Sequence, residues 1–239
     1  MSRQAVFLDV DGVLLDPVRT PAEWVRLIGD VLAPALGGAP AAWGRANAVV
    51  FPRVFADRAR WVHDDPATAE RRLITRLLRE QCEMLDVAYP GDEDAVRLGR
   101  ELDRYVCLHA DCAFPATVEV IRELAARYAV HTATGNPSWR VETFLEQWGV
   151  RELVGVPAGT DLVGVMRDTT AFYRRVFALA GVEAEEAIVV DDTVENVVRA
   201  RALGARAVLV DPDGGTRDGV ADAVIVNVAE LPETLRLLL

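Results

Sequence analysis

The chain has 239 residues, 51% of them hydrophobic, enough apolar material for one large domain or for a core that carries an insert. Its 37 acidic residues outnumber 26 basic ones, and the net charge of −11 would be repelled by nucleic-acid phosphates and by anionic lipid, so neither is expected as a partner. No apolar run approaches a membrane span, and the N-terminal stretch lacks the basic and apolar regions of a secretory leader, so the expected location is cytoplasmic.

In chain order, the first element is a short buried strand, Ala5 to Leu8, that runs directly into Asp9 and Asp11, with Gly12 just after. From Pro17 to about Ala113 the pattern changes. Helical periodicity appears in EWVRLIGDVL, AERRLITRLLREQCEML and EDAVRLGRELDRYVCL, separated by Pro/Gly-rich joints such as APALGGAPAAWG, with no strand pattern. Its Trp24, Trp43, Phe51, Phe55 and Trp61 fit helix-packing core.

Beyond residue 113 strands and amphipathic helices alternate. A helix over 116–127 leads to the strand YAVHTAT, then a helix from 138 that stops at Gly149 and a weak strand at 152–156. A helix over 169–180 closes at Gly181, followed by the strand AIVVDD, a helix ending at Gly204, the strand RAVLV, the strand ADAVIV and a last helix over ELPETLRLL. Such alternation predicts an α/β fold, a Rossmann-like parallel sheet with helices on both faces, and an all-helical cap inserted after the first strand. The expected boundaries are 1–16 with 114–239 for the core and 17–113 for the insert.

In an open parallel sheet, ligands sit beyond the carboxyl ends of the strands. The polar residues delivered there are Asp9 and Asp11 from the first strand, Thr134, Gly135 and Asn136 from the second, and Asp191 and Asp192, followed by Thr193 and Asn196, from AIVV. Two acidic pairs converging on one rim repel unless a cation lies between them, and Mg2+ prefers carboxylates, waters and substrate phosphate as its oxygen ligands. Ordinary turn chemistry accounts for one such pair but poorly for two.

The sequences DVDGVL, TATGN, a basic residue at 167 and VVDDTVEN, in that order, resemble the four motifs of the haloacid dehalogenase superfamily of aspartyl-nucleophile hydrolases. The resemblance covers 4–16 and 113–239, and the insert is similar to that family's C1-type cap. It implies Asp9 as nucleophile and Mg2+ ligand, and Asp11 as general acid/base with its carbonyl on the metal. Thr134, with Gly12, Gly135 and Asn136 nearby, would bind phosphoryl oxygens, Asp192 would be the distal metal ligand and Asp191 a supporting or direct one. One position departs from the pattern, because the family supplies Lys where this chain has Arg167. All 26 basic residues are Arg, so Arg167 keeps the charge within a composition-wide bias. It is expected to bridge the Asp9 carboxylate and a phosphoryl oxygen.

The implied activity is Mg2+-dependent hydrolysis of a small phosphorylated metabolite through an aspartyl-phosphate. A phosphomutase on the same core and a catalytically silent phosphate-binding or scaffold protein are the alternatives. Dehalogenation needs neither Asp11 nor a metal, and a Schiff-base phosphonate cleavage needs a Lys that is absent. The three cysteines, Cys82, Cys107 and Cys112, fit buried thiols better than a zinc site at CLHADC. His63, His109 and His131 fit satisfied structural histidines, and Arg45, Arg53, Arg58 and Arg60 a solvated face.

Overall fold

The computed structural model describes residues 4–57, 65–215 and 219–238. Arg58, Arg60, Trp61 and His63 lie outside the described residues. The chain divides into two compact units, Val18–Cys112 and Met1–Pro17 with Ala113–Leu239.

The first of these is built from helices α1 (Arg19–Leu36), α2 (Pro40–Ala56), α3 (Pro66–Leu85) and α4 (Asp92–His109). Helix α2 departs from the sequence expectation, in which residues 33–44 form a Pro/Gly joint. The joint shrinks to Gly37, Gly38 and Ala39 because Pro34 falls in the last turn of α1 and Pro40 opens α2, where a missing N–H costs nothing. Gly29 and Gly44 let the two helices approach closely: a Cβ at Gly29 would lie 2.3 Å from the Pro40 carbonyl oxygen, and one at Gly44 2.2 Å from that of Val25. Trp43 is fully buried and donates its indole N–H to the Gly37 carbonyl at 2.9 Å, while Phe51 stacks on Phe55 and stays partly exposed. The buried amides of Gln81 and Asn47 pair at 2.9 Å, and Asp65 caps α3 by accepting from Thr68 N. All three cysteines are buried.

The second unit is a six-stranded sheet in the order β3-β2-β1-β4-β5-β6, every pair parallel. Its strands are β1 (Ala5–Leu8), β2 (Ala129–Ala133), β3 (Val154–Ala158), β4 (Ala187–Asp191), β5 (Arg206–Val210) and β6 (Ala223–Ile225). The connecting helices are α5 (Thr117–Arg127), α6 (Ser138–Gln147), α7 (Thr160–Val163), α8 (Thr170–Ala180), α9 (Val194–Arg201) and α10 (Leu231–Leu238). This is the α/β Rossmann-like order, in which the chain reverses direction across the sheet beside β1. Strand β1 is central and wholly buried, which explains its unbroken apolar run.

Two features of this sheet position the polar rim. The register sets Leu8 beside Val190, and Asp9 N donates to the Val190 carbonyl at 2.9 Å, so Asp9 and Asp191 end adjacent strands side by side. The alternation of side chains then puts both on one face. Ala5, Phe7, Ala187 and Val189 pack against Phe172, Tyr173, Val176 and Phe177 of α8, and Asp9 and Asp191 continue those two rows. His131 of β2 stacks on Phe7 with ring centroids 5.0 Å apart, and its Nδ1 accepts from Val156 N at 3.0 Å where β2 and β3 slip register. Gly155 leaves room for that imidazole, since a Cβ there would lie 2.8 Å from its Cε1. Among the described residues no helix is long and apolar enough to cross a membrane.

Candidate active site

Asp9 leaves β1 with its side chain only 1% exposed. Its Oδ1 accepts from Val10 N at 2.6 Å and its Oδ2 from the Arg167 guanidinium at 2.7 Å. Burial pushes the Asp9 carboxyl well above the usual carboxylate range; Arg167 opposes the shift, and repulsion from Asp191 and Asp11 adds to it. The chain then turns sharply. Leu14 N and Leu15 N both donate to the Val10 carbonyl, and Gly12, at φ +77°, donates to the Leu15 carbonyl. Gly12 has a second reason to lack a side chain: a Cβ there would lie 2.0 Å from Asp192 Oδ2. Glycine at this position is what admits the Asp192 carboxylate beside the loop.

Asp11 is exposed and its Oδ2 accepts from Asn136 Nδ2 at 2.7 Å. Asn136 also ties back to Thr134, whose Oγ1 accepts from Asn136 N at 3.3 Å. The loop after β2 thus joins Thr134, itself fully buried, to Asp11. Gly135 sits in ordinary contact with Arg167, 3.7 Å from its Cδ by the position of a notional Cβ.

Arg167 precedes α8, and its side chain is 16% exposed, so the charge is held inside the protein and not in bulk solvent. Its Nη2 touches both Asp9 Oδ2 and Asp191 Oδ2. The Asp9 contact is the one the sequence suggests; Asp191 is a partner it does not. Burial works against the guanidinium's charge, but the two carboxylates outweigh it and raise its pKa further. Asp191 is fully buried and also accepts from Tyr173 Oη, Thr193 N and Asn196 Nδ2. Asp192 is exposed, yet protein atoms crowding its inner side and then the Asp191 charge raise its pKa.

Tyr173 and the anchoring use of Asn196 are not apparent from the sequence motifs. The available signal is a tyrosine within the buried stripe Phe172, Tyr173, Val176, Phe177, because a buried phenol needs a hydrogen-bond partner.

The residues present fit a hard divalent cation. Asp9, Asp191 and Asp192 offer carboxylate oxygens all within 4.8 Å of one another, an oxygen-only donor set whose repulsion a cation would relieve. Arg167 Nε is buried without a hydrogen-bond partner among the described residues, a donor directed at no protein acceptor.

An aspartate that ends a central parallel strand, a second acid two residues on, a buried cation and an acidic pair on the neighbouring strand meet at one rim of the sheet. The chain belongs to the haloacid dehalogenase-like hydrolases, whose family model matches residues 4–204. Among curated proteins it is 25% identical over 225 residues to "Phosphatase MT3486" of Mycobacterium tuberculosis (strain CDC 1551 / Oshkosh), covering 92% of this chain and 93% of that one. Among solved structures, a 2-haloacid dehalogenase from Pseudomonas syringae pv. Tomato DC3000 superposes with a TM-score of 0.69 at 21% identity, over 99% of each chain. The HAD-hydrolase YfnB from Bacillus subtilis, bound to magnesium, does so with a TM-score of 0.67 at 14% identity, over 98% of this chain and 99% of that one. These structural likenesses establish the fold.

Proposed function

We propose that this hydrolase is a Mg2+-dependent phosphatase that acts on a small phosphorylated metabolite through an aspartyl-phosphate on Asp9. The observation that carries the reading is the grouping of Asp9, Asp191 and Asp192 oxygens within 4.8 Å, an oxygen-only set suited to a hard divalent cation. The phosphatase relative and the magnesium-bound neighbour support it.

Asp9 and Asp192 carboxylates with the Asp11 carbonyl would hold the metal, and Asp191 lies beside them. When bound, Mg2+ supplies positive charge against the ionised Asp9 and the phosphoryl oxygens. An Asp9 oxygen forms a bond to phosphorus as the ester P–O bond breaks, and Asp11 gives its proton to the departing alkoxide. Asp11 then takes a proton from water, which attacks phosphorus and releases phosphate and the Asp9 carboxylate. Asn136 keeps the Asp11 carboxyl in one orientation for both transfers. The Thr134 hydroxyl and Arg167 bind phosphoryl oxygens, and Arg167 Nε is the donor still to be satisfied.

The test is a panel of phosphorylated metabolites assayed for phosphate release with Mg2+ and with EDTA, beside a 2-haloacid assayed for halide release. Phosphate release that EDTA abolishes, and that Asp11→Asn slows by about 10²–10⁴-fold, is expected. Halide release without metal, or turnover indifferent to EDTA, would overturn it.

A further inference from the structure

Asn136 stands between the second acid of the rim and an arginine of α6, and its backbone is held from behind. Pro137 follows it and confines it to extended geometry. Thr160 N donates to its carbonyl at 3.2 Å, and Gly159 leaves room for that carbonyl, since a Cβ there would lie 2.4 Å from the oxygen. Ser138 is fixed in turn by Asp161, whose Oδ1 accepts from its N–H at 2.6 Å and whose Oδ2 accepts from its hydroxyl at 2.8 Å. What this clamp leaves free is rotation of the Asn136 amide, a broad two-fold torsion. Arg140, in the first turn of α6, donates Nη1 to Asn136 Oδ1 at 3.3 Å. A guanidinium has no acceptor, so the atom facing it is the amide oxygen. Nδ2 is thereby turned to Asp11 Oδ2 at 2.7 Å and to Thr134 Oγ1 at 3.4 Å. Asp11 is exposed, and this hydrogen bond rather than packing aims its carboxylate.

We infer that Arg140 is a positioning residue for Asp11, acting through the Asn136 amide. Held at both ends, the amide presents a fixed donor to Asp11; held at one end, it would swing about χ2 and the exposed carboxylate would swing with it. The same device recurs after β4, where Asn196 Nδ2 donates to Asp191 Oδ1 at 3.2 Å and Arg199 Nη1 donates to Asn196 Oδ1 at 2.9 Å. In both loops an arginine of the following helix turns an asparagine toward a rim carboxylate. A misplacement of about 1 Å costs up to about 10²-fold in rate, so a residue that acts only through another can still set turnover. The consequence for turnover rests on the phosphatase role proposed for Asp11; the positioning rests on the hydrogen bonds alone.

The test combines 15N relaxation of the Asn136 side-chain NH2, assigned through its loss in Asn136→Ala, with steady-state kinetics. Arg140→Met and Arg140→Ala should each lower the order parameter of that NH2 from the rigid range to below about 0.6, and Arg140→Lys should restore it. Either of the first two serves if the other does not fold. On a phosphorylated compound that the wild type hydrolyses, they should lower kcat by about 10-fold to 10²-fold with KM within about threefold, and Arg140→Lys should recover most of the loss. In an Asn136→Ala background the same Arg140 substitution should cost no more than about twofold. An unchanged NH2 order parameter would overturn the assignment. So would full additivity of Arg140→Met with Asn136→Ala, or a raised KM at unchanged kcat, which would make Arg140 a substrate contact. A wild type that releases no phosphate with or without Mg2+ would defeat the phosphatase reading alone, and the relaxation comparison would then decide the role of Arg140.

Discussion

Two arginine–carboxylate contacts of almost equal length lie in the two units. Arg167 meets Asp9 at 2.7 Å in the sheet unit, and Arg100 of α4 meets Glu70 of α3 at 2.8 Å in the helical one. The first pair is buried, with side chains 16% and 1% exposed; the Arg100 side chain is 55% exposed. At 4 Å a unit-charge attraction is about 1 kcal/mol in water and about 4 kcal/mol at an effective dielectric of 20, so distance alone says little about worth. The helical unit holds exposed pairs, Arg71 with Glu93, Arg79 with Asp92 and Arg97 with Asp94, and where one of its guanidiniums serves two acids, Arg76 with Asp57 and Glu80, the side chains stay 33%, 31% and 20% exposed. The sheet unit makes one guanidinium serve two buried acids, leaving a negative excess that only a cation or a proton can neutralise. Identical residue types thus act as largely solvated surface in one region and as a buried, charge-unbalanced cluster in the other.

The largest effect expected from breaking this contrast is at Asp9. Asp9→Asn should lower turnover by about 10⁴-fold or more while leaving the melting temperature equal or higher, because Asp191 then has Arg167 to itself. Calorimetric melting beside the activity assay checks both halves, and a large drop in melting temperature would make Asp9 a structural partner instead.

Next comes Arg167→Ala. It strands two buried carboxylates and should cost about 3–5 kcal/mol by denaturant titration, with activity near background. Arg167→Lys should keep part of the activity and part of the stability, since the charge remains and the fork is lost.

A smaller effect separates buried titration from surface titration. Burial lowers the pKa of His131, whose neutral Nδ1 accepts from Val156 N. A group held below its unfolded value contributes stability that is full above that value, about 6.5, and is lost as the pH falls through the folded one. Unfolding free energy should therefore fall on acidification from pH 7.5 to 5 with a component of at most about 1.4 kcal/mol per pH unit that His131→Gln removes. An unchanged pH profile in the variant would refute this.

The smallest effect is at Arg100 and Glu70. A double-mutant cycle should give a coupling of no more than about 1 kcal/mol, shrinking with added salt. A coupling as large as the Arg167 effect would erase the distinction between the units.

Much of the rim is legible in the sequence because a buried strand that ends in acid is a local pattern. The run Ala5 to Leu8 followed by Asp9, and AIVV followed by Asp191 and Asp192, need only period-two alternation and the rule that parallel strands present their carboxyl ends to ligands. Arg167 is legible as a lone basic residue before a helix. The Asp191–Arg167–Tyr173 contact is not, since it depends on which face of β4 meets α8, a tertiary fact. Gly12 reads in the sequence as a turn or phosphate-loop glycine, and its closeness to Asp192 emerges only when β1 and β4 lie side by side. Helix α2 is hidden by its own composition, because Pro40 looks like a breaker until its place at the first turn is known, and Pro52 is carried inside the helix.

The hydrogen bond from Asp9 N to the Val190 carbonyl makes the sheet a ruler for the chemistry. Neighbouring strands lie about 4.8 Å apart wherever they pair, so the separation of the two acids is inherited from the ladder and not adjusted by a loop. Such a gauge cannot drift on warming; it holds until the central strands part, and then it fails at once. The Asp9 amide should accordingly exchange its proton for deuterium only as fast as the whole sheet unit unfolds. Heat inactivation and loss of fold in this unit should then be a single event.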